Sequence, residues 1–276
     1  MSHQSFSWQS QAAAKVEGLH WPSEQPRAAV CIIHGMGEHI GRYHHVADFL
    51  HRHGIATAGI DLPGFGRSGG ARGHSDLPSL LSQIELLVRR MQEWHPGIPV
   101  FLFGQSMGGN LVLNYLFDKR SAISGVIASS PWIRLPAQPS PWLIGFAQVM
   151  SRIMPALTKA NGLDTGELSS DPAVEAAYRA DPLVHDRVSM ALGLSMLKGA
   201  HRLDRQAGHS PAPLLLMHGS RDRLTDPIAT EALAGRLVGD VSLKIWPGMK
   251  HELHNEPGKA EVMSQFVKWM ESNLNV

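Results

Sequence analysis

The chain has 276 residues, 43% of them hydrophobic and 18% charged, which suits one large domain with an insertion and excludes a disordered chain. Twenty-five Lys and Arg against 24 Asp and Glu leave a formal charge of +1, which argues against a nucleic-acid binder. A single cysteine, Cys31, excludes an internal disulfide and any all-cysteine metal site.

Met1 to Phe6 show neither a basic n-region nor an apolar h-region, and no apolar run nears the roughly 18 residues of a spanning helix. A soluble, cytoplasmic protein is expected. Residues 6–21 are mixed in polarity and read as a hairpin. From residue 28 a rhythm begins of short apolar run, glycine-bearing loop and amphipathic stretch. The runs are 28–33, 55–60, 100–103, 123–128, 214–217 and 241–245. Short, mostly continuous runs of this kind read as strands buried on both faces. Cys31 lies inside the first and reads as packing. Helices are expected at 43–53, 77–94, 107–117, 227–237 and 257–273. Strand–helix alternation predicts an α/β fold with a doubly wound sheet.

The rhythm breaks between about 131 and 210. Pro131, Pro136, Pro139 and Pro141 open this stretch. Trp142, Phe146, Val149, Ile153 and Leu157 then recur at helical spacing. No strand is evident. A compact domain rarely carries a structureless loop of that length, so a mostly helical insertion is expected.

Gly104-Gln105-Ser106-Met107-Gly108-Gly109 contains G-x-S-x-G between a strand and a helix. That context is what the motif requires. A sharp turn would lift the Ser106 hydroxyl clear of the sheet. The helix behind it would aim free N–H groups at developing negative charge. A serine hydroxyl needs a base, and the acid and histidine should follow in that order. Asp222 lies in the loop after run 214–217 and is the expected acid. Asp226 is the alternative, but it precedes Pro227 and reads as a helix cap. After the next strand stand His251 and His254. His251 is nearer the strand end and is the expected base.

His34-Gly35-Met36-Gly37-Glu38-His39 follows the first core strand. Its glycines let the Met36 amide turn inward, where it would form an oxyanion hole with the amide of Met107. Gly64-Phe65-Gly66-Arg67-Ser68-Gly69 matches G-x-G-x-x-G, but no helix opens inside it, so it reads as a loop. His251 and His254 are spaced i, i+3, whereas the zinc motif needs i, i+4. No metal and no cofactor is expected.

With these pieces placed, the chain resembles the monoacylglycerol lipase group of α/β-hydrolases. The resemblance runs from about Arg27 to Trp269. It is carried by the blocks at 34–43, 61–70, 104–109, 219–224 and 251–256. It implies an α/β-hydrolase fold, with a mostly parallel central sheet flanked by helices and a helical cap between strands six and seven. Core segments 1–130 and 211–276 would enclose a cap at 131–210. The resemblance also implies Ser106, Asp222 and His251 as a triad, with Met36 and Met107 as oxyanion donors. Glu38, Arg42 and His254 would surround a glycerol head, and Tyr178 matches a cap tyrosine. Gln105 departs from the family, which usually has histidine there. Activity should survive, because that position carries no proton in the mechanism.

The expected activity is hydrolysis of a monoacylglycerol or similar small ester through an acyl-enzyme. Cap residues from Trp142 to Leu157 would line an acyl tunnel, or an exposed apolar face there would touch a membrane. The alternatives are a short-chain carboxylesterase or lysophospholipase on the same triad, a peptidase, and an inactive ligand-binding hydrolase fold.

Overall fold

A computed structural model describes residues 2–118 and 123–274. Eight strands form one sheet: β1 (Gln4–Gln9), β2 (Lys15–Trp21), β3 (Ala28–Ile33), β4 (Ile55–Ile60), β5 (Val100–Gln105), β6 (Gly125–Ser129), β7 (Leu214–Gly219) and β8 (Val241–Trp246). Their order is β1-β2-β4-β3-β5-β6-β7-β8. β1 and β2 form the expected hairpin, and β2 runs antiparallel to β4. All other pairings are parallel. β3 to β7 are buried along their whole length, as continuous apolar runs require, while the edge strand β8 is partly exposed.

The two-residue period of a strand divides the core into two layers. Ala29, Cys31 and Ile33 join a cluster with residues of α2 (Leu77–Trp94), α3 (Met107–Phe117) and α6 (Met190–Asp204). Val30 and Ile32 face the other way, toward α1 (His44–Arg52) and α8 (Lys259–Ser272). Asp76 caps α2 through the Ser79 amide at 2.8 Å, with Pro78 in the first turn. The residues around Gly64 form a loop, organised by Asp61, which accepts the amides of Ile40 (2.8 Å) and Arg67 (2.7 Å).

Between β6 and β7 lie α4 (Pro141–Ile153), α5 (Pro172–Ala180) and α6. They come with a small antiparallel pair, Thr158–Ala160 against Arg187–Ser189, where no strand was expected. Three residues are too few to show a period. α6 differs from the other two helices. Its Leu192, Met196 and Leu203 belong to the main core cluster. α4 buries no residue fully. Trp142, Phe146, Val149 and Ile153 are 51–73% exposed, so these residues do not line a tunnel. Ile144 and Gln148, on the opposite side of the helix, line a cavity of about 600 Å³ shared with Leu194 and Leu197 of α6.

Candidate active site

Loops at the carboxyl ends of the parallel strands β5, β7 and β8 bring the expected residues together. Ser106 follows β5 with φ 57° and ψ −114°, a conformation that L residues rarely adopt. The flanking glycines make the turn fit. A Cβ on Gly104 would lie 2.3 Å from the Gly108 carbonyl oxygen, and one on Gly108 would lie 2.0 Å from that of Ile33. Both are sterically forbidden. α3 starts at Met107, so the first-turn amides have no acceptor inside the helix.

The loop after β3 packs directly on this turn. A Cβ on Gly35 would come within 3.4 Å of the Ser106 Cβ. Glu38 holds the loop from inside, since its Oε1 accepts the Gly35 amide (2.6 Å) and the Tyr43 hydroxyl (2.8 Å). His34 ties the loop to the next strand's exit by accepting the Leu62 amide at 3.0 Å. Met36 and Ser106 both line a pocket of about 290 Å³.

His251 follows β8 and lines the same pocket. Its Nδ1 lies 2.7 Å from Oδ2 of Asp222, which follows β7. Both side chains are buried. Burial alone would lower the His251 pKa, but Asp222 foremost, with Glu252 and Glu38, raises it above its ordinary value. Burial would raise the Asp222 pKa. His251 and His218 overcome this and hold the carboxyl well below the ordinary range. Asp226 is elsewhere employed, capping α7 (Pro227–Arg236) through the Ile228 amide at 2.9 Å.

Sequence reading missed three partners. Thr225 brings its hydroxyl to 2.9 Å from Asp222 Oδ2. His218 reaches the same oxygen from the end of β7. Gln105 donates its amide to the His251 carbonyl at 2.9 Å, linking the serine turn to the histidine loop. Only the Asp-x-x-Thr spacing, typical of a side-chain-closed turn, was a usable signal.

Glu38, Arg42, His254 and Tyr178 do come together, but none lines the pocket that holds Ser106 and His251. Arg42 bonds Glu38 and pairs in bidentate fashion with Glu252 at 2.7 Å to each oxygen. The Tyr178 ring lies 4.7 Å from the guanidinium. His254 is fully buried, stacked on Tyr43 at 4.8 Å, and its burial lowers its pKa to about 3. Glu38 and Arg42 spend their polar groups on each other, on Glu252, on the Tyr43 hydroxyl and on the Gly35 amide, whereas His254 meets Asn255 through Nε2 at 3.2 Å and its buried Nδ1 has no hydrogen-bond partner among the described residues. Glu38 and Arg42 of the expected head-group cage thus form a clamp with Glu252 between the loop after β3 and the histidine loop.

The pocket lining is largely apolar, with Met36, Trp132, Leu135, Ala137, Leu163 and Leu224 around Ser106 and His251. Its one charged lining residue besides His251 is Arg223, among the described residues. Such a lining accepts an uncharged ester and has no anion to hold a free amine.

A profile of the family described as serine aminopeptidase, S33 matches residues 24–258. A monoacylglycerol lipase of Mycolicibacterium smegmatis is 35% identical over 256 residues, spanning 92% of this chain and 91% of that protein. A monoglyceride lipase of Homo sapiens is 31% identical over 242 residues, spanning 86% of this chain and 80% of that one. The crystal structure of a monoacylglycerol lipase of Paleococcus ferrophilus aligns at a TM-score of 0.84 and 32% identity, covering 99% of this chain and 100% of that one. Matched over most of its length in sequence and in fold, this chain belongs to the serine aminopeptidase, S33 family of α/β-hydrolases, in its monoacylglycerol lipase group.

Proposed function

We propose that the chain cleaves the ester bond of monoacylglycerols to glycerol and fatty acid through an acyl-enzyme on Ser106. The observation that carries this reading is one small apolar pocket holding both Ser106, on its strained turn, and His251, backed by Asp222. His251 takes the Ser106 proton as the hydroxyl oxygen attacks the ester carbonyl. Asp222 orients the imidazole and stabilises its charged form. The amides of Met36 and Met107 hold the oxyanion. The tetrahedral intermediate collapses, and His251 gives its proton to the departing glycerol oxygen. Water, deprotonated by His251, then attacks the acyl-enzyme, and His251 returns that proton to Ser106 Oγ as the acyl–oxygen bond breaks and the acid leaves.

In this reading the exposed apolar face of α4 rests on the lipid from which the substrate is drawn. Among the described residues no helix is long and apolar enough to cross a membrane, so such contact would be peripheral. A second reading has its own support. Glu38 and Arg42 are engaged with each other and with Glu252, and neither they nor His254 line the pocket, which favours a carboxylesterase with a loose alcohol requirement.

Glycerol release from monoacylglycerols of rising chain length, with p-nitrophenyl acetate alongside, separates the two. Preference for the monoacylglycerols supports the lipase reading. Turnover of only the small activated ester leaves the esterase. Ser106→Ala should lower turnover of every substrate by at least ~10³-fold, in line with loss of a triad nucleophile. Turnover that survives this substitution removes the acyl-enzyme mechanism altogether.

A further inference from the structure

Asp222 has more partners than a triad acid requires. Its Oδ1 accepts the amides of Leu224 (2.8 Å) and Thr225 (3.0 Å). Its Oδ2 faces Nδ1 of His251 at 2.7 Å, the Thr225 hydroxyl at 2.9 Å and Nε2 of a second imidazole, His218, at 3.0 Å. His218 belongs to β7 and is fully buried. On its far side, Nδ1 meets the hydroxyl of Thr230, buried in α7, at 2.7 Å.

Valence fixes the protons. An ionised carboxylate only accepts, so Nε2 of His218 carries a hydrogen, with Asp222 Oδ2 at 3.0 Å and the Thr225 hydroxyl oxygen at 3.2 Å as its acceptors. Nδ1 is then an acceptor, and Thr230 donates to it. Thr225 has one hydroxyl hydrogen, for which the Ser130 carbonyl at 3.1 Å competes with Asp222. When that hydrogen turns to Ser130, two imidazole N–H groups remain on Oδ2. One belongs to His251 and the other to His218.

We propose that His218 is a positioning residue of the active site, whose Nε2–H fixes Oδ2 of Asp222 toward His251 and takes a share of the carboxylate's charge. This rests on the roles proposed above for Ser106, Asp222 and His251. His218 is absent from the pocket lining and is enclosed beside the acid. Burying a polar ring in a core strand is unfavourable unless its nitrogens are bonded, and here both are.

The consequence is electrostatic. The charged and titratable groups around His251 are Asp222 and Arg223 from the loop after β7, Glu252 and His254 on its own loop, and Glu38 with its partner Arg42 from the loop after β3. Each donor on Oδ2 draws carboxylate charge away from His251. Without the His218 N–H, Asp222 keeps more charge for His251, and the imidazolium is favoured. His251 then protonates at higher pH. The acid limb of kcat/KM, which needs the neutral base, moves up with it.

The test follows p-nitrophenyl acetate turnover against pH in His218→Leu, His218→Gln, Thr230→Val and Ser106→Ala. The Leu variant should lose roughly ten- to a hundredfold in kcat, part of the ~10²–10⁴ a positioned base contributes, with KM little changed. Its acid limb should move up by roughly half a pH unit to one unit. Gln, whose amide can donate to the same oxygen, should recover most of the loss. Thr230→Val should shift the limb the same way by less, because His218 loses the donor that fixes its tautomer. If the Leu variant fails to fold, Thr230→Val carries the same reading. An unshifted limb with wild-type kcat in the His218→Leu and Thr230→Val enzymes that fold overturns the positioning role. If Ser106→Ala is inactive, that failure falls on this inference alone. An active Ser106→Ala overturns the catalytic reading beneath it as well.

Discussion

Ser106 keeps a backbone conformation that costs about 1–3 kcal/mol, and its neighbours hold it there. Its amide bonds the Ser129 carbonyl, and its carbonyl accepts the amides of Asn110 and Trp132, each at 3.0 Å. Gly108 is the residue that lets α3 approach β3 so closely. Gly108→Ala would drive a methyl group into the Ile33 carbonyl, which is backbone and cannot step aside. We expect a loss of at least the ~1–3 kcal/mol typical of overpacking, together with slow fluorophosphonate labelling of Ser106. Urea midpoints and labelling rates equal to wild type would remove this account of the turn. The spacing of G-x-S-x-G made that turn legible, because its glycines answer a local steric demand. His218 was not legible. It closes an apolar run, and nothing in its neighbours reveals that its ring turns toward an acid four residues on.

The Glu38–Arg42–Glu252 clamp joins two elements, the loop after β3 and the histidine loop. Burial alone would raise the Glu252 pKa, but Arg42 foremost lowers it from 4.5 to about 2. The stabilisation is therefore present above about pH 4.5 and is lost as pH falls toward 2. Arg42→Met would leave two carboxylates buried without their cation, at a cost of about 3–5 kcal/mol near neutral pH. Unpaired, Glu252 would be pushed up by burial, and the variant should gain on the wild type as pH falls. Urea midpoints measured from neutral pH down to about 3 check the sign. Parallel midpoint curves would show that the clamp carries no such charge dependence. The sequence placed these residues near the site through family resemblance. It could not tell whether a carboxylate faces a cavity or an arginine, because that depends on how two distant loops meet. The helices show the same limit. The spacing of Trp142, Phe146, Val149 and Ile153 identifies one face of α4, yet which face the core covers is settled only by packing against α6.

At the scale of the whole molecule, the two halves of the insertion are held differently. The stretch around 164–170 is fastened to the histidine loop. Glu252 donates its amide to the Leu168 carbonyl at 2.7 Å, and Lys250 reaches the Gly166 carbonyl at 2.6 Å. α4 carries its large side chains outward. Exchanging Trp142 and Phe146 together for Ser should leave the urea midpoint within about 0.5 kcal/mol of wild type, as exposed positions do. Turnover of monoacylglycerol presented in lipid vesicles should fall at least roughly a hundredfold, since each of the two aromatic side chains inserted in lipid contributes about 1.5–3 kcal/mol and about 1.4 kcal/mol is a factor of ten. Turnover of p-nitrophenyl acetate in solution should not change. Equal losses on both substrates would place these side chains in the catalytic path and not at a lipid surface.

β6, α6 and β7 make a complete strand–helix–strand unit, because β6 and β7 are parallel neighbours and α6 is packed into the core between them. We propose that residues 131–189 are a guest in the first connection of that unit. The loops after β3 and β5 that carry the candidate site precede the guest in the chain, and those after β7 and β8 follow it. None of the strands that support them takes its register from it. Lengthening, shortening or replacing the outer part of this segment, while keeping the Trp132 amide on Ser106, the His185 amide on Gly37 and the Leu168 carbonyl under Glu252, would thus leave the machinery of ester cleavage on its own foundations. What the molecule recognises is free to diverge while the reaction it performs stays the same.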